Sequence, residues 1–235
     1  MLTQKACALL GTTPPPSRIR RVARLNGAAT APLTRYLSRQ ASRPSGPVGR
    51  TLGRIWIRET AAVNDIAVEL LEAYAGDRIL EIGFGPGRTV QRLVEIGADV
   101  DGVDVSPDML YLAARRNASG IARGAVRLHA GDGTRLPAAD DSLDAVVGVH
   151  TVYFWPDPAA TAAEIARALR PGGRVVLAFR DGAAPLPSRF DRGVYDVPTV
   201  ATATAWLEGA GLTDVTAHRR PDVAAPVVWL TAIAA

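Results

Sequence analysis

Three glycines at every second position, Gly83, Gly85 and Gly87, follow an acid, Glu81, at the end of a short apolar run. Glycine admits positive φ and carries no Cβ, so such a loop lets backbone approach a ligand closely. The helical stretch beginning at Arg88 turns its amino terminus toward the same point. The spacing differs from the dinucleotide fingerprint G-x-G-x-x-G, whose third small residue would fall on Arg88. A pyrophosphate also favours a site free of acid, whereas Glu81 beside the loop suits a ligand with positive charge. Roughly twenty residues on, Asp104 closes a second apolar run, where an acid can accept from both hydroxyls of a ribose. Asp99 and Asp101 are nearby alternatives. Asp132 ends a third run, in Gly131-Asp132-Gly133. A carboxylate there can accept from an adenine amino group, with a neighbouring backbone N–H serving a ring nitrogen; the plainer reading is a tight Asp-Gly turn.

These acids share one position, the carboxyl end of a strand. Residues 78–82, 100–104, 126–130, 143–149 and 174–179 read as short apolar strands. Residues 88–96, 108–117, 158–169 and 199–209 read as the helices around them, with Ser106 as N-cap and Pro107 opening the second. A long helical stretch over residues 49–74 precedes the first strand. The alternation predicts an α/β fold, a parallel sheet covered by helices on both faces, with ligands at the strand carboxyl ends. Residues 213–219 and 227–234 form two closing strands. Their connection, 220–226, is too short for a crossover helix, so they pair antiparallel.

The fourth strand ends in Val149-His150-Thr151-Val152-Tyr153-Phe154-Trp155. His150 is the best candidate general base, and its plainer reading is a hydrogen-bonded histidine shaping a pocket. Tyr153 is a second candidate catalytic group. With Phe154 and Trp155 it forms either an apolar substrate wall or core.

In order and spacing, five blocks resemble the class I S-adenosylmethionine (SAM)-dependent methyltransferases of the small-molecule type, over about residues 50–235. They are Glu81-x-Gly83-x-Gly85-x-Gly87, Gly102-Val103-Asp104-x-Ser106-x-x-Met109-Leu110, Gly131-Asp132-Gly133-Thr134-Arg135-Leu136-Pro137, Asp141-Ser142-Leu143-Asp144 and Leu169-Arg170-Pro171-Gly172-Gly173. The resemblance implies a Rossmann-like seven-stranded sheet of order 3-2-1-4-5-7-6 with the last strand antiparallel. It implies SAM as cofactor, bound by Glu81, Gly83, Gly85, Gly87, Asp104, Met109, Asp132, Gly133 and His150. Glu81 and the glycines would hold the methionine end, Asp104 the ribose, and Asp132 with Gly133 the adenine. Gly133 replaces the more usual alanine. SAM carries an ammonium and a sulfonium, which accounts for the acid beside the glycines.

The sulfonium is an excellent leaving group, so such an enzyme mainly aligns a nucleophile with the methyl carbon and excludes water. The expected reaction is in-line transfer to an O, N or C atom of a small-molecule acceptor. The fourth strand lacks the Asn/Asp-Pro-Pro-Tyr/Phe pattern of enzymes that methylate the amino groups of adenine and glutamine. A single cysteine, Cys7, argues against arsenite methylation, which uses several thiols. Three alternatives remain: a nucleic-acid methyltransferase, an NAD-dependent oxidoreductase, and a SAM-binding protein without activity.

The net charge of +4 hides an asymmetry. Residues 1–58 carry Lys5 and ten arginines and no acid, so all 23 acidic residues lie beyond them. We read residues 1–48 as a basic, flexible arm and 49–235 as the catalytic domain. The arm is a solvated extension, a nucleic-acid or anionic-surface contact, a transit peptide, or a cap on the substrate pocket. Residues 49–74 and the 181–199 loop are expected to close that pocket, with Arg189 and Arg192 as anion contacts or solvated charges. One cysteine excludes an internal disulfide, and three scattered histidines lack metal-ligand spacing. No apolar run is long enough to span a membrane, so a cytoplasmic protein is expected.

Overall fold

The computed structural model describes residues 31–221, 223 and 226–235. The basic stretch around Ile19–Leu25 and the proline triplet at 14–16 lie outside the described residues. Strands β1 (Arg78–Ile82), β2 (Asp99–Asp104), β3 (Val126–Ala130), β4 (Leu143–Val149), β5 (Leu169–Arg180), β6 (Leu212–His218) and β7 (Val227–Ala234) form one sheet of order β3-β2-β1-β4-β5-β7-β6. The first five strands are parallel. β7 enters between β5 and β6 and runs antiparallel to both. The expected topology is therefore found.

Alternate residues of a strand point to opposite faces, and here both faces are apolar. Ile79, Val100, Val147, Val176 and Trp229 enter one core, where they meet α3 (Ala61–Leu71) and α4 (Arg88–Ile96). Leu80, Ile82, Val146, Val175 and Leu230 enter the other, against α7 (Pro158–Ala168) and α8 (Val200–Gly209). Trp229 is fully buried, and its indole N–H is satisfied by Val63 O at 3.0 Å. This two-sided burial turns the strands into continuous apolar runs.

The long helical stretch expected over residues 49–74 is two helices, α2 (Gly46–Glu59) and α3. Thr60 breaks it, at φ −98° and ψ 5°. Its hydroxyl donates to Trp56 O and accepts from the Asn64 amide. Glu72, at φ 49°, ends α3 before Tyr74. α5 (Pro107–Arg116) has the expected cap, with Ser106 Oγ accepting from Met109 N. A short α6 (Ala118–Ala122) follows it.

Residues 31–42 are also helical (α1), preceding α2. This part of the basic segment packs on the domain. Ser38 and Gln40 are buried, Gln40 Oε1 accepts from Ser45 N, and Asp108 Oδ2 accepts from Gly46 N at 2.7 Å. Among the described residues no helix is long and apolar enough to cross a membrane.

Candidate SAM and acceptor site

Glu81 lies in β1, almost fully buried. The Thr89 hydroxyl and Val90 N–H, at the start of α4, face its carboxylate. Oε2 is buried with no partner among the described residues. Burial lifts the carboxyl to about 8; the two donors oppose that rise and the nearby Asp104 carboxylate adds to it. A buried carboxylate oxygen without a partner is costly, and a cation placed against it removes the cost. The ammonium of SAM is such a cation, so the residues present fit the cofactor at its methionine end.

The loop between β1 and α4 is shaped for close approach. Gly85 has φ +51°, and a Cβ there would project into open space. Its N–H donates to Asp104 Oδ2 at 2.8 Å. Gly83, at φ +73°, is crowded: a Cβ there would lie 2.6 Å from Thr151 Oγ1. The missing side chain lets the segment after β4 pack onto the loop, which brings His150 beside it. Gly87 caps α4, and the Asn117 amide donates to its carbonyl.

Asp104 closes β2 and is buried. Besides Gly85 N, it accepts from Ser106 N through Oδ1 at 2.8 Å. Burial raises its pKa while these two N–H donors lower it. Two carboxylate oxygens offer about four acceptor positions, which leaves room for the ribose hydroxyls. Asp101 is committed elsewhere, accepting both donors of the Arg127 fork and facing His129. Asp99 opens the strand at an exposed position. Met109 is buried under α2, where a Cβ on Gly53 would lie 3.1 Å from its Cε. Gly131 N donates to Asp104 O, so the end of β3 adjoins the end of β2. Asp132 Oδ1 accepts from Thr134 N and Thr134 Oγ1, and these bonds lower its pKa. Gly133 is buried against Ile82 and Thr161. The tight turn and an adenine contact are therefore compatible, since Oδ1 makes the turn and the carboxylate keeps a second oxygen.

His150 follows β4 with φ +56°, uncommon for a residue with a side chain. Its Nδ1 lies 3.0 Å from the Tyr153 hydroxyl. That hydroxyl also accepts from Arg180 N. The phenol can give its own proton to Nδ1, and in that arrangement the neutral imidazole carries its proton on Nε2. Burial lowers the His150 pKa to about 4 and raises that of Tyr153.

Tyr195 joins this pair to the loop between β5 and α8. Its ring centroid lies 5.6 Å from Tyr153, 4.9 Å from Phe154 and 4.9 Å from Phe190. The loop is held by Asp196 N to Tyr153 O and by Asp191 N to Ser38 Oγ at 2.9 Å. α1 and the 181–199 loop thus meet over the end of β4. Trp155 is core. Arg189 stacks on Phe190 at 4.9 Å, and Arg192 is exposed. Sequence patterns left Thr89, Thr151, Ser38, Phe190 and Tyr195 unmarked. The first two are ordinary positions beside recognisable motifs; the others lie in a helix and a loop with no motif of their own.

A mostly parallel sheet with a glycine loop after β1, an acid closing β2 and another after β3 is the arrangement that the sequence resemblance to the methyltransferase class implies. A family model described as a methyltransferase domain matches residues 80–177. The chain is 35% identical over 130 residues to a Bacillus subtilis protein described as "Uncharacterized methyltransferase YdaC", covering 54% of this chain and 70% of that one. It spans less than half of other curated relatives that it matches, such as 44% of a Mycobacterium bovis methyltransferase to which it is 38% identical across 48% of its own length. Two solved structures share the fold. One is a chain of the Haloferax volcanii complex between the Trm112 methyltransferase activator and a methyltransferase, with TM-score 0.65, 19% identity, and coverage of 78% of this chain and 94% of that one. The other is Haemonchus contortus phosphoethanolamine N-methyltransferase 2 in complex with SAM, with TM-score 0.63, 19% identity, and coverage of 74% and 52%. The chain belongs to the class I SAM-dependent methyltransferases. Its cofactor is SAM, which excludes the NAD-dependent alternative.

Proposed function

We propose that this methyltransferase acts on a small-molecule acceptor held between the end of β4 and the 181–199 loop. The observation that carries this reading is the ring cluster of Tyr153, Phe154, Phe190 and Tyr195, which gathers aromatic surface from two separate elements beside the cofactor crevice. Apolar walls with few polar groups characterise small-molecule sites. Bound SAM supplies an activated methyl group on a sulfonium. Glu81 holds the ammonium, Asp104 the ribose and Asp132 with Gly133 the adenine, while Met109 gives an apolar contact under α2. Gly83, Gly85 and Gly87 allow backbone contact. The aromatic wall and loop orient the acceptor and exclude water, and orientation alone supplies about 7–11 kcal/mol in favourable cases.

His150 presents its Nε2–H toward the acceptor, held in that tautomer by Tyr153. A pKa of about 4 makes it neutral and weakly basic at pH 7, poorly matched to general-base work there. It therefore acts chiefly as a hydrogen-bond donor that orients the acceptor. The fitting acceptors need little help with deprotonation, such as a neutral amine, an acidic hydroxyl or an enolate carbon. One cysteine and the lack of a spanning helix among the described residues support a cytoplasmic location.

The test is release of S-adenosylhomocysteine from SAM across a panel of apolar amines, phenols and β-dicarbonyls, compared with RNA. Turnover on a panel member that follows a flat kcat–pH profile through neutrality supports the assignment. For Tyr153→Phe, which leaves Arg180 N–H without its acceptor and frees the tautomer, KM for the acceptor should rise at least ~10-fold while SAM affinity stays within about twofold. Turnover on RNA alone would sink the small-molecule reading.

A further inference from the structure

α1 packs on the domain with its polar residues inward. Ser38 and Gln40 are buried, whereas Leu33, Tyr36 and Leu37 are 59, 46 and 39% exposed. α2 continues this pattern. It buries Gly49 and Gly53 and exposes Val48 and Ile55, at 41 and 45%. On a helical wheel of 3.6 residues per turn, Val48, Ile55 and the exposed Arg54 and Arg58 fall on one face of α2. Arg35, Arg39 and Arg43 are exposed on and just after α1. No acid precedes Glu59 in the chain, so residues 1–30 bring further basic charge and nothing to neutralise it. An open groove of about 900 Å³ runs along the exposed side of the contact between α2 and α5. Arg54, Arg115 and Arg116 line it without an acidic partner among the described residues: Arg115 donates to the Tyr111 hydroxyl, and Arg116 to Pro86 O and Gln91 Oε1. Arg50 in the same groove is already paired with Asp108.

We propose that the outer faces of α1 and α2, with the adjoining arginine groove, dock this methyltransferase on a membrane surface rich in anionic lipid. Exposed aliphatic side chains gain free energy by entering the boundary between headgroups and acyl chains, and arginines gain it from the negative surface potential. The groove offers forked donors for lipid phosphate groups. A second copy fits poorly, because the two faces would meet with many arginines and, on α1 and α2, Glu59 as their single acid. A nucleic acid would use the arginines and could stack on Tyr36 and Tyr111, but it would gain little from Leu33, Leu37, Val48 and Ile55. The inference goes beyond the acceptor assignment and is independent of it.

The full chain should be sedimented with phosphatidylcholine vesicles and with vesicles that also contain phosphatidylglycerol. Pelleting with the second and not the first, weakening as salt is added, is expected. At about fivefold per arginine, the double variant Arg54→Glu and Arg58→Glu should lower the vesicle partition coefficient by ~25-fold or more. Ile55→Ser should lower it less and leave the salt dependence in place. SAM binding by calorimetry should be unchanged in both, which shows that the domain is still folded. Equal binding to both vesicle types, none to either, or pelleting indifferent to these substitutions overturns the proposal. Binding of single-stranded RNA in place of vesicles, unaffected by Ile55→Ser, would assign the face to nucleic acid instead.

Discussion

At the scale of single residues, the site depends on two buried carboxylates with different work. Glu81 keeps an unsatisfied oxygen, and burial raises its pKa from 4.5 to about 8. Between those two values the folded chain binds more protons than the unfolded one. Stability therefore falls as pH rises through that window and levels off outside it. The SAM ammonium favours the ionised form, so binding at pH 7 should expel on the order of one proton, and affinity should rise with pH up to about 8. Calorimetry in buffers of different ionisation enthalpy measures the proton directly; no release would refute the role given to Glu81. Glu81→Gln should weaken SAM and flatten both pH dependences, because the amide cannot ionise. Asp104 holds the loops together, accepting from Gly85 N and Ser106 N. In Asp104→Asn the amide nitrogen faces one of those N–H donors. The variant should lose about 1–3 kcal/mol of stability and bind SAM at least ~10-fold more weakly. Denaturant unfolding and calorimetry separate the two effects.

At the scale of elements, α2 comes close to what lies beneath it because it carries glycines on its inner face. Ordinarily Gly→Ala in a helix is stabilising by about 0.5–1 kcal/mol. At Gly49 the added Cβ would lie 2.7 Å from the Pro44 carbonyl carbon and 2.9 Å from Gln40 Oε1. Backbone cannot move aside as a side chain can, so Gly49→Ala should cost about 1–3 kcal/mol and lower Tm. Gly209, in α8, meets nothing within 4 Å, and Gly209→Ala should raise Tm. Opposite signs in the two melting curves would show that packing, not helix preference, governs α2. Equal signs would show that α2 has slack under it.

At the scale of the whole molecule, the sheet and its two cores form without α1, while the acceptor side of the site leans on it. Ser38 Oγ is the acceptor for Asp191 N, from a helix more than a hundred residues earlier in the chain. Removing residues 1–43 should leave a cooperatively folding domain that still binds SAM. It should also speed hydrogen exchange at the Asp191 amide and its neighbours in the 181–199 loop, because their anchor is gone. Mass-spectrometric exchange on the two chains reads this directly. Unchanged exchange in the loop would mean that the Tyr195 ring cluster alone holds it in place.

Much of this protein is determined by local sequence. The unbroken apolar runs 145–149 and 175–179 can only be buried on both faces, so the parallel sheet and its helical layers were legible. The acids at strand ends were legible too, because the strand pattern says where each strand stops, and the glycine spacing identifies the loop beside Glu81. Thr60 shows the limit of periodicity: the apolar rhythm runs on through it, and only its backbone turn, at φ −98° and ψ 5°, reveals the break between α2 and α3. Tertiary structure alone decided the rest. Ser38, a small polar residue in an arginine-rich stretch, has no local signature, and its bond to Asp191 depends on where two distant segments pack. The same holds for Tyr195 beside Tyr153, and for the Tyr153 hydroxyl caught between the His150 imidazole and a backbone amide of the neighbouring strand. Those contacts join residues remote in sequence, and no pattern along the chain records them.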